Sequence, residues 1–238
     1  MKFKNYIIYL CLTLSTSCAE KYSITSYTHE QIEVKTNIDS TIYKIITPYQ
    51  NGIAKEMNEV ITYNKFNLEK GKPQSTIGNF VTDLCLKYAD ANICIMNSGG
   101  LRTSISKGQV TKGQIFELMP FENELVIINL NKKEYINLLD YIAKRGGEPF
   151  SGLNIEMNSD GEIIKNSWPV NFNNGEKLKV LTSDYLANGG DNMSFFIGKK
   201  QQKIGIKLRD AIIDHCKNSD TISVKIDDRI KIINTIGK

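Results

Sequence analysis

Histidine is scarce in this chain, and its few cysteines follow no ligand spacing. There are two histidines in 238 residues, His29 and His215. His215 stands between Asp214 and Cys216 in a helical stretch, where adjacent side chains face different ways. No metal centre is indicated around it, since no partner ligands are spaced for one. The five cysteines form no Cx2C pair, which argues against a zinc knuckle and a disulfide framework. Lysine and arginine gather in no long block, and the formal charge is only +4, so nucleic-acid binding is not indicated. The apolar stretch from Tyr6 to Leu14 is too short to span a bilayer. No internal repeat or low-complexity tract occurs.

What is present suits a single well-packed core with a tail. Hydrophobic content of 41% and charged content of 24% are ordinary for a globular domain. The start, Met1-Lys2-Phe3-Lys4, is basic, the apolar stretch follows, and Ser15-Thr16-Ser17 places small residues before Cys18. This reads as a targeting segment over residues 1–18. Cys18 resembles the lipid-attachment cysteine of bacterial lipoproteins, with plain secretion and a retained anchor as alternatives. The protein is therefore expected to be exported and lipid-anchored to a bacterial membrane. Removing the first 17 residues takes away Lys2 and Lys4 and leaves +2. Residues 19–42 are polar and rich in Ser and Thr, as in a tether, although Ile32 and Val34 alternate with charged neighbours and suit a short strand. The globular part is expected over 43–238. Of its cysteines, Cys85 and Cys94 sit in apolar runs and read as small buried residues, and Cys216 is the third.

Hydrophobic period assigns the elements. A helix is expected over 45–60, an extended segment from Val60 to Asn67, and a helix capped by Ser75 or Thr76 running to Tyr88. Ile93 to Met96 is a short, wholly apolar run, the mark of a buried strand. A short helix is expected from Gly113 to Met119, a strand from Glu124 to Leu130, and an amphipathic helix from Lys132 to Arg145. Extended segments follow near 152–157, 160–165 and 177–184, then a helix near 205–217 and strands at 221–226 and 229–234. The fold class is α+β, a mixed sheet with flanking helices.

Two stretches stand out chemically. Asn97-Ser98-Gly99-Gly100-Leu101-Arg102 follows the apolar strand. Glycines there let backbone amides approach an anion, and Arg102 adds a planar fork that meets two phosphate oxygens at once. A plain glycine turn beside a solvated arginine has the same sequence. Phe121, in Pro120-Phe121-Glu122-Asn123, reads either as a core residue or as a loop-borne stacking face. Asn123 carries both a donor and an acceptor, fit to read a base edge. Tyr185 opens the second stretch and can supply an opposing ring. Asp191 closes Asn188-Gly189-Gly190-Asp191 and can accept two ribose hydroxyls, or serve only the turn.

These motifs, their order and the strands between them resemble the C-terminal, substrate-binding domain of the 5′-nucleotidase family over about residues 45–236. The resemblance implies that Asn97, Gly99, Gly100 and Arg102 contact phosphate and nearby groups. It also implies that Phe121 and Tyr185 sandwich a base, with Asn123 beside it, and that Asp191 holds the ribose hydroxyls. Ser75-Thr76-Ile77-Gly78-Asn79 is similar to the family's opening helix motif. Relatives carry a further phosphate-binding arginine shortly before that helix. Here the segment is Glu69-Lys70-Gly71-Lys72-Pro73, in which Lys70 or Lys72 can supply charge but no fork.

Family members cleave phosphate esters with two metal ions held in a separate N-terminal domain. Its Gly-Asn-His-Asp/Glu and Asp-x-His strings do not occur in this chain. No cofactor is expected in the chain itself, and divalent metals only in a partner metallophosphatase domain. The implied function is nucleotide or nucleoside recognition for a separately encoded metallophosphatase subunit. The alternatives are a stand-alone nucleotide-binding surface lipoprotein without catalysis, and a relic whose site is empty. The expected partners are a nucleotide or nucleoside, the possible metallophosphatase subunit and, through the lipid, a membrane. Nucleic acid is not among them.

Overall fold

The computed structural model describes residues 40–233. The basic start, the apolar stretch, Cys18, His29 and the strand expected at Ile32 and Val34 lie outside the described residues. Two units are distinguished, Met1–Lys44 and Ile45–Lys238. Of the first, only the opening turn of a helix is described. That helix, α1, runs Ser40–Met57 and carries no buried residue.

The second unit is built on three sheets. The five-stranded sheet has the order β5-β2-β8-β4-β9. Its strands are β2 (Ile93–Ile95), β4 (Glu124–Leu130), β5 (Phe150–Ser151), β8 (Leu178–Ser183) and β9 (Gln202–Lys207). β2 runs parallel to β8, and β4 runs antiparallel to both β8 and β9. Of the two three-stranded sheets, one joins β1 (Val60–Asn64) to β3 (Gly108–Thr111) and β10 (Thr221–Ile222). The other joins β6 (Ile155–Asn158) to β7 (Ile163–Asn166) and β11 (Ile230–Ile233).

The central sheet is buried on both faces, so its inner strands are apolar at consecutive positions rather than alternate ones. Ile93, Ile95, Val126, Ile128 and Val180 point into one core, with Tyr135, Leu138 and Ile142 of α4 (Lys132–Lys144) against them. Cys94, Met96, Leu125, Ile127 and Leu181 point into the other. There they meet Ile77, Phe80 and Leu84 of α2 (Thr76–Leu86) and Ala211 and Ile212 of α6 (Leu208–Lys217). The two-residue period of each strand assigns its side chains to these two cores. α3 (Lys112–Leu118) adds Ile115 and Leu118 to the second core, and the short α5 (Asp184–Ala187) adds Leu186 to the first.

Local signals explain where the helices begin. The Ser75 hydroxyl accepts from the Gly78 amide, the N-cap expected at that position. Thr111 with Gln114, and Asn131 with Glu134, close capping boxes on α3 and α4. The sequence reading departs from the structure at β9, since a helix expected from about residue 205 begins only at Leu208. Residues up to Lys207 pair with β4 instead. Cys85, Cys94 and Cys216 are buried, unpaired thiols. Burial pushes Cys216 up to about 12 and raises Cys94 as well.

Candidate functional site

Strand directions bring the candidate residues to one edge of the central sheet. β2 and β8 are parallel, so their C-terminal ends lie side by side. β4 is antiparallel to β8, which places its N-terminal end beside them. Asn97 follows β2, Phe121 and Asn123 precede β4, and Tyr185 follows β8. α4 returns toward the same edge and ends at Lys144, just before Arg145.

The result is a cavity of about 360 Å³ at that edge. Asn97, Gly99, Gly100 and Arg102 line one part of it, and Phe121, Asn123, Tyr185 and Asp191 line the rest. All eight residues singled out in the sequence therefore meet in one cleft. Phe121 and Tyr185 stay 41% and 48% exposed, so both rings offer open area rather than serving the core. Arg102 donates Nη1 to the Gly99 carbonyl at 3.3 Å. Among the described residues, the Asn123 carboxamide makes no hydrogen bond to protein, while its backbone carbonyl accepts from the Leu208 amide at 2.8 Å.

The loop carrying Phe121 is held from α6. Arg209 is 6% exposed, and its guanidinium carbon lies 4.2 Å over the Phe116 ring. It donates Nη1 to the carbonyls of Met119 and Phe121 and pairs through Nη2 with Glu122. The Lys207 ammonium, and after it Arg209, hold the Glu122 carboxyl at about 2, below its ordinary 4.5. Ionised Glu122 therefore favours the folded state above about pH 4.5, and that preference disappears as pH falls through about 2. Urea midpoints of wild type and Glu122→Gln should differ at pH 7 and converge below about pH 2. A constant gap across that range would mean that this pair does not tie the loop.

The opposite wall depends on unusual backbone. Asp191 has φ 52° and ψ 32°, and Asn192 has φ 66°, the left-handed region that Asp and Asn enter more readily than most residues. Two tyrosines fix it: Tyr141 donates its hydroxyl to the Asp191 carbonyl at 2.9 Å, and the Asp191 amide donates to the Tyr185 hydroxyl at 3.1 Å. Tyr185 lies directly over Gly190, where a Cβ would come within 2.5 Å of the ring. Asp184 joins the two sides, accepting from the amides of Glu124 at 3.1 Å and Tyr185 at 2.8 Å.

Sequence reasoning missed Arg145, which lines the same cavity. It stands at the end of a helix and reads there as an ordinary cap-region cation. Its Nη2 donates to Asp191 Oδ2 at 3.2 Å and its Nε to Glu148 Oε1 at 2.5 Å. Glu148, also missed, is 2% exposed. Its neighbours Gly147 and Pro149 make it look like part of a loop, and no local signal marks a buried carboxylate. Lys70 and Lys72 border a neighbouring cavity of about 330 Å³, with Ser98 and Leu101. Lys72 donates to the Arg145 carbonyl and lies 3.8 Å from Glu148 Oε1. Among the described residues, no group of three or more His, Cys, Asp or Glu is arranged to hold a metal ion, and no helix is long and apolar enough to cross a membrane. His215 packs 5.9 Å from the Phe80 ring, and burial lowers its pKa.

Comparison with known proteins gives the family of the chain. Residues 53–197 match the family model described as 5′-nucleotidase, C-terminal domain. The chain is 24% identical over 226 residues to an apyrase of Tabanus yao, covering 78% of this chain and 40% of that protein. It is 26% identical over 235 residues to the trifunctional nucleotide phosphoesterase protein YfkN of Bacillus subtilis, covering 87% of this chain and 16% of that one. Among solved structures, a 5′-nucleotidase precursor from Thermus thermophilus superposes with a TM-score of 0.70 at 24% identity. That alignment covers 82% of this chain and 43% of the other. The chain thus spans less than half the length of these relatives.

Proposed function

The chain belongs to the 5′-nucleotidase C-terminal domain family, and on that premise we propose that its cleft recognises a nucleotide or nucleoside. One observation carries the reading: two open aromatic rings, an arginine fork and a carboxylate share a single cavity. In this reading a planar base stacks on Phe121 and Tyr185, and each stacked ring is worth about 1–3 kcal/mol by analogy with stacked bases. Asn123 reads the base edge, Asp191 takes the ribose hydroxyls, and Arg102 with the Asn97–Gly100 turn takes phosphate. Lys72 donates to the Arg145 carbonyl and lies beside Glu148, and neither Lys70 nor Lys72 lines this cavity, which leaves Arg102 as the principal phosphate ligand.

In this reading the chain supplies recognition, and a separate metallophosphatase subunit supplies the divalent metals and the hydrolysis. Its described residues offer no such ligand set. Lipidation at Cys18 would keep the protein exported and attached to a bacterial membrane. Titration calorimetry of the purified chain should detect both AMP and adenosine, with AMP the tighter of the two. Adding the metallophosphatase should then raise AMP hydrolysis. Binding without any rise in hydrolysis would favour a stand-alone nucleotide-binding lipoprotein. Silence toward both ligands from a folded protein would end the reading.

A further inference from the structure

The wall of the cleft around Asp191 is tied to the Asn97–Gly100 turn by one charge network centred on the buried Glu148. Glu148 is 2% exposed and its side chain is wholly enclosed, a costly place for a carboxylate unless every lone pair is used. Its Oε2 accepts from both the amide and the hydroxyl of Ser98, at 2.6 and 2.7 Å. Its Oε1 accepts from Arg145 Nε at 2.5 Å. The Arg145 guanidinium then lies 5.3 Å over the Tyr141 ring and donates Nη2 to Asp191 Oδ2 at 3.2 Å. An isolated arginine on a cavity wall samples many rotamers, and ordering it costs side-chain entropy. Here the ring and the buried carboxylate have already selected one geometry.

We propose that Arg145, anchored by Glu148, is a positioning residue that sets how strongly the cleft distinguishes ribose from sugars lacking the vicinal hydroxyls. The inference rests on the nucleotide-recognition reading above. The Arg145 fork takes Asp191 Oδ2 and fixes the rotation of the carboxylate. Oδ1 is then left to accept from a ligand, with the spare lone pair of Oδ2 beside it. Tyr141 and Tyr185 hold the backbone of the same residue, so neither main chain nor side chain must reorganise when a sugar arrives. Without the fork, the carboxylate is free to swing toward solvent. The diol then loses a preorganised acceptor, while stacking of the base is left to Phe121 and Tyr185. Because Ser98 shares Glu148, the turn assigned to phosphate and the residue assigned to ribose are held by one buried group.

The test is the affinity ratio between adenosine and 2′,3′-dideoxyadenosine, measured by titration calorimetry on wild type, Arg145→Gln, Arg145→Lys and Glu148→Gln. Wild type should prefer adenosine. Arg145→Gln and Glu148→Gln should each shrink the preference by about fivefold or more, the size of an ordinary coupling between contacting residues. Arg145→Lys should restore part of it. A merely structural role would weaken both nucleosides together and leave the ratio intact, and that result overturns the proposal. If Glu148→Gln does not fold, the two Arg145 variants decide the matter, since that side chain is already one-third exposed. Equal wild-type affinity for the two nucleosides would overturn the proposal but not the functional reading. Failure of wild type to bind either would remove both.

Discussion

Asp191→Asn should weaken adenosine binding by about 1.5–3 kcal/mol, or roughly 10- to 150-fold, the range for hydrogen bonds to a charged group. Asparagine is the informative replacement because the backbone at this residue is left-handed. Alanine there would add strain of about 1–2 kcal/mol and mix a folding defect with a binding defect. Asparagine tolerates the conformation and keeps the shape while it removes the charge. One of its two positions becomes a donor, so it can no longer accept from Arg145 and from both hydroxyls at once. Calorimetric titration with adenosine, alongside a thermal melt, checks the prediction. An unchanged Kd at unchanged stability would remove Asp191 from the ribose contact.

The largest effect on stability is expected at Gly147. Its φ is +103°, and a Cβ would lie 2.0 Å from the Pro73 carbonyl oxygen, an overlap with main chain that no rotamer relieves. Left-handed strain of about 1–2 kcal/mol and overpacking of about 1–3 kcal/mol give Gly147→Ala a cost of about 2–5 kcal/mol. Gly146 is the internal control. Its φ is +68°, but nothing lies within 4 Å of where a methyl group would stand, so Gly146→Ala should show only the strain of about 1–2 kcal/mol. Denaturant unfolding of the two variants tests the difference, and equal losses would show that Pro73 yields. Since Gly147 lies between Arg145 and Glu148, its replacement should also disturb the cleft.

How much of this was legible in the sequence depends on whether the cause is local. The Ser75 cap and the spacing of Ile77, Phe80, Val81 and Leu84 sufficed to place α2, and the apolar run from Ile93 identified a strand covered on both faces. The eight cleft residues could be picked out because glycine turns, an arginine and an aromatic after proline are local signals, made specific by the family resemblance. Strand order was not readable, because it depends on pairings between distant segments such as Ile93 with Val180. β9 reads partly as helix for the same reason. Ile204 and Ile206 suit either element, and it is the pairing with β4 that decides. Arg145 and Glu148 are the instructive omissions. The partners that give them meaning, Asp191 and Ser98, lie 46 and 50 positions away. Nothing in the neighbourhood of either residue reveals those bonds.

The meeting of three neighbouring strand ends at one edge separates what holds the protein together from what touches a guest. β2, β4 and β8 spend their own side chains on the two interiors, whereas most of the contact surface hangs on the connections beyond them. Such an arrangement lets the lining drift, one connection at a time, without reopening the interior. Preference for one heterocycle over another is therefore a cheap trait for this scaffold to change. The salt-linked wall is the conservative part, because altering it disturbs two connections together.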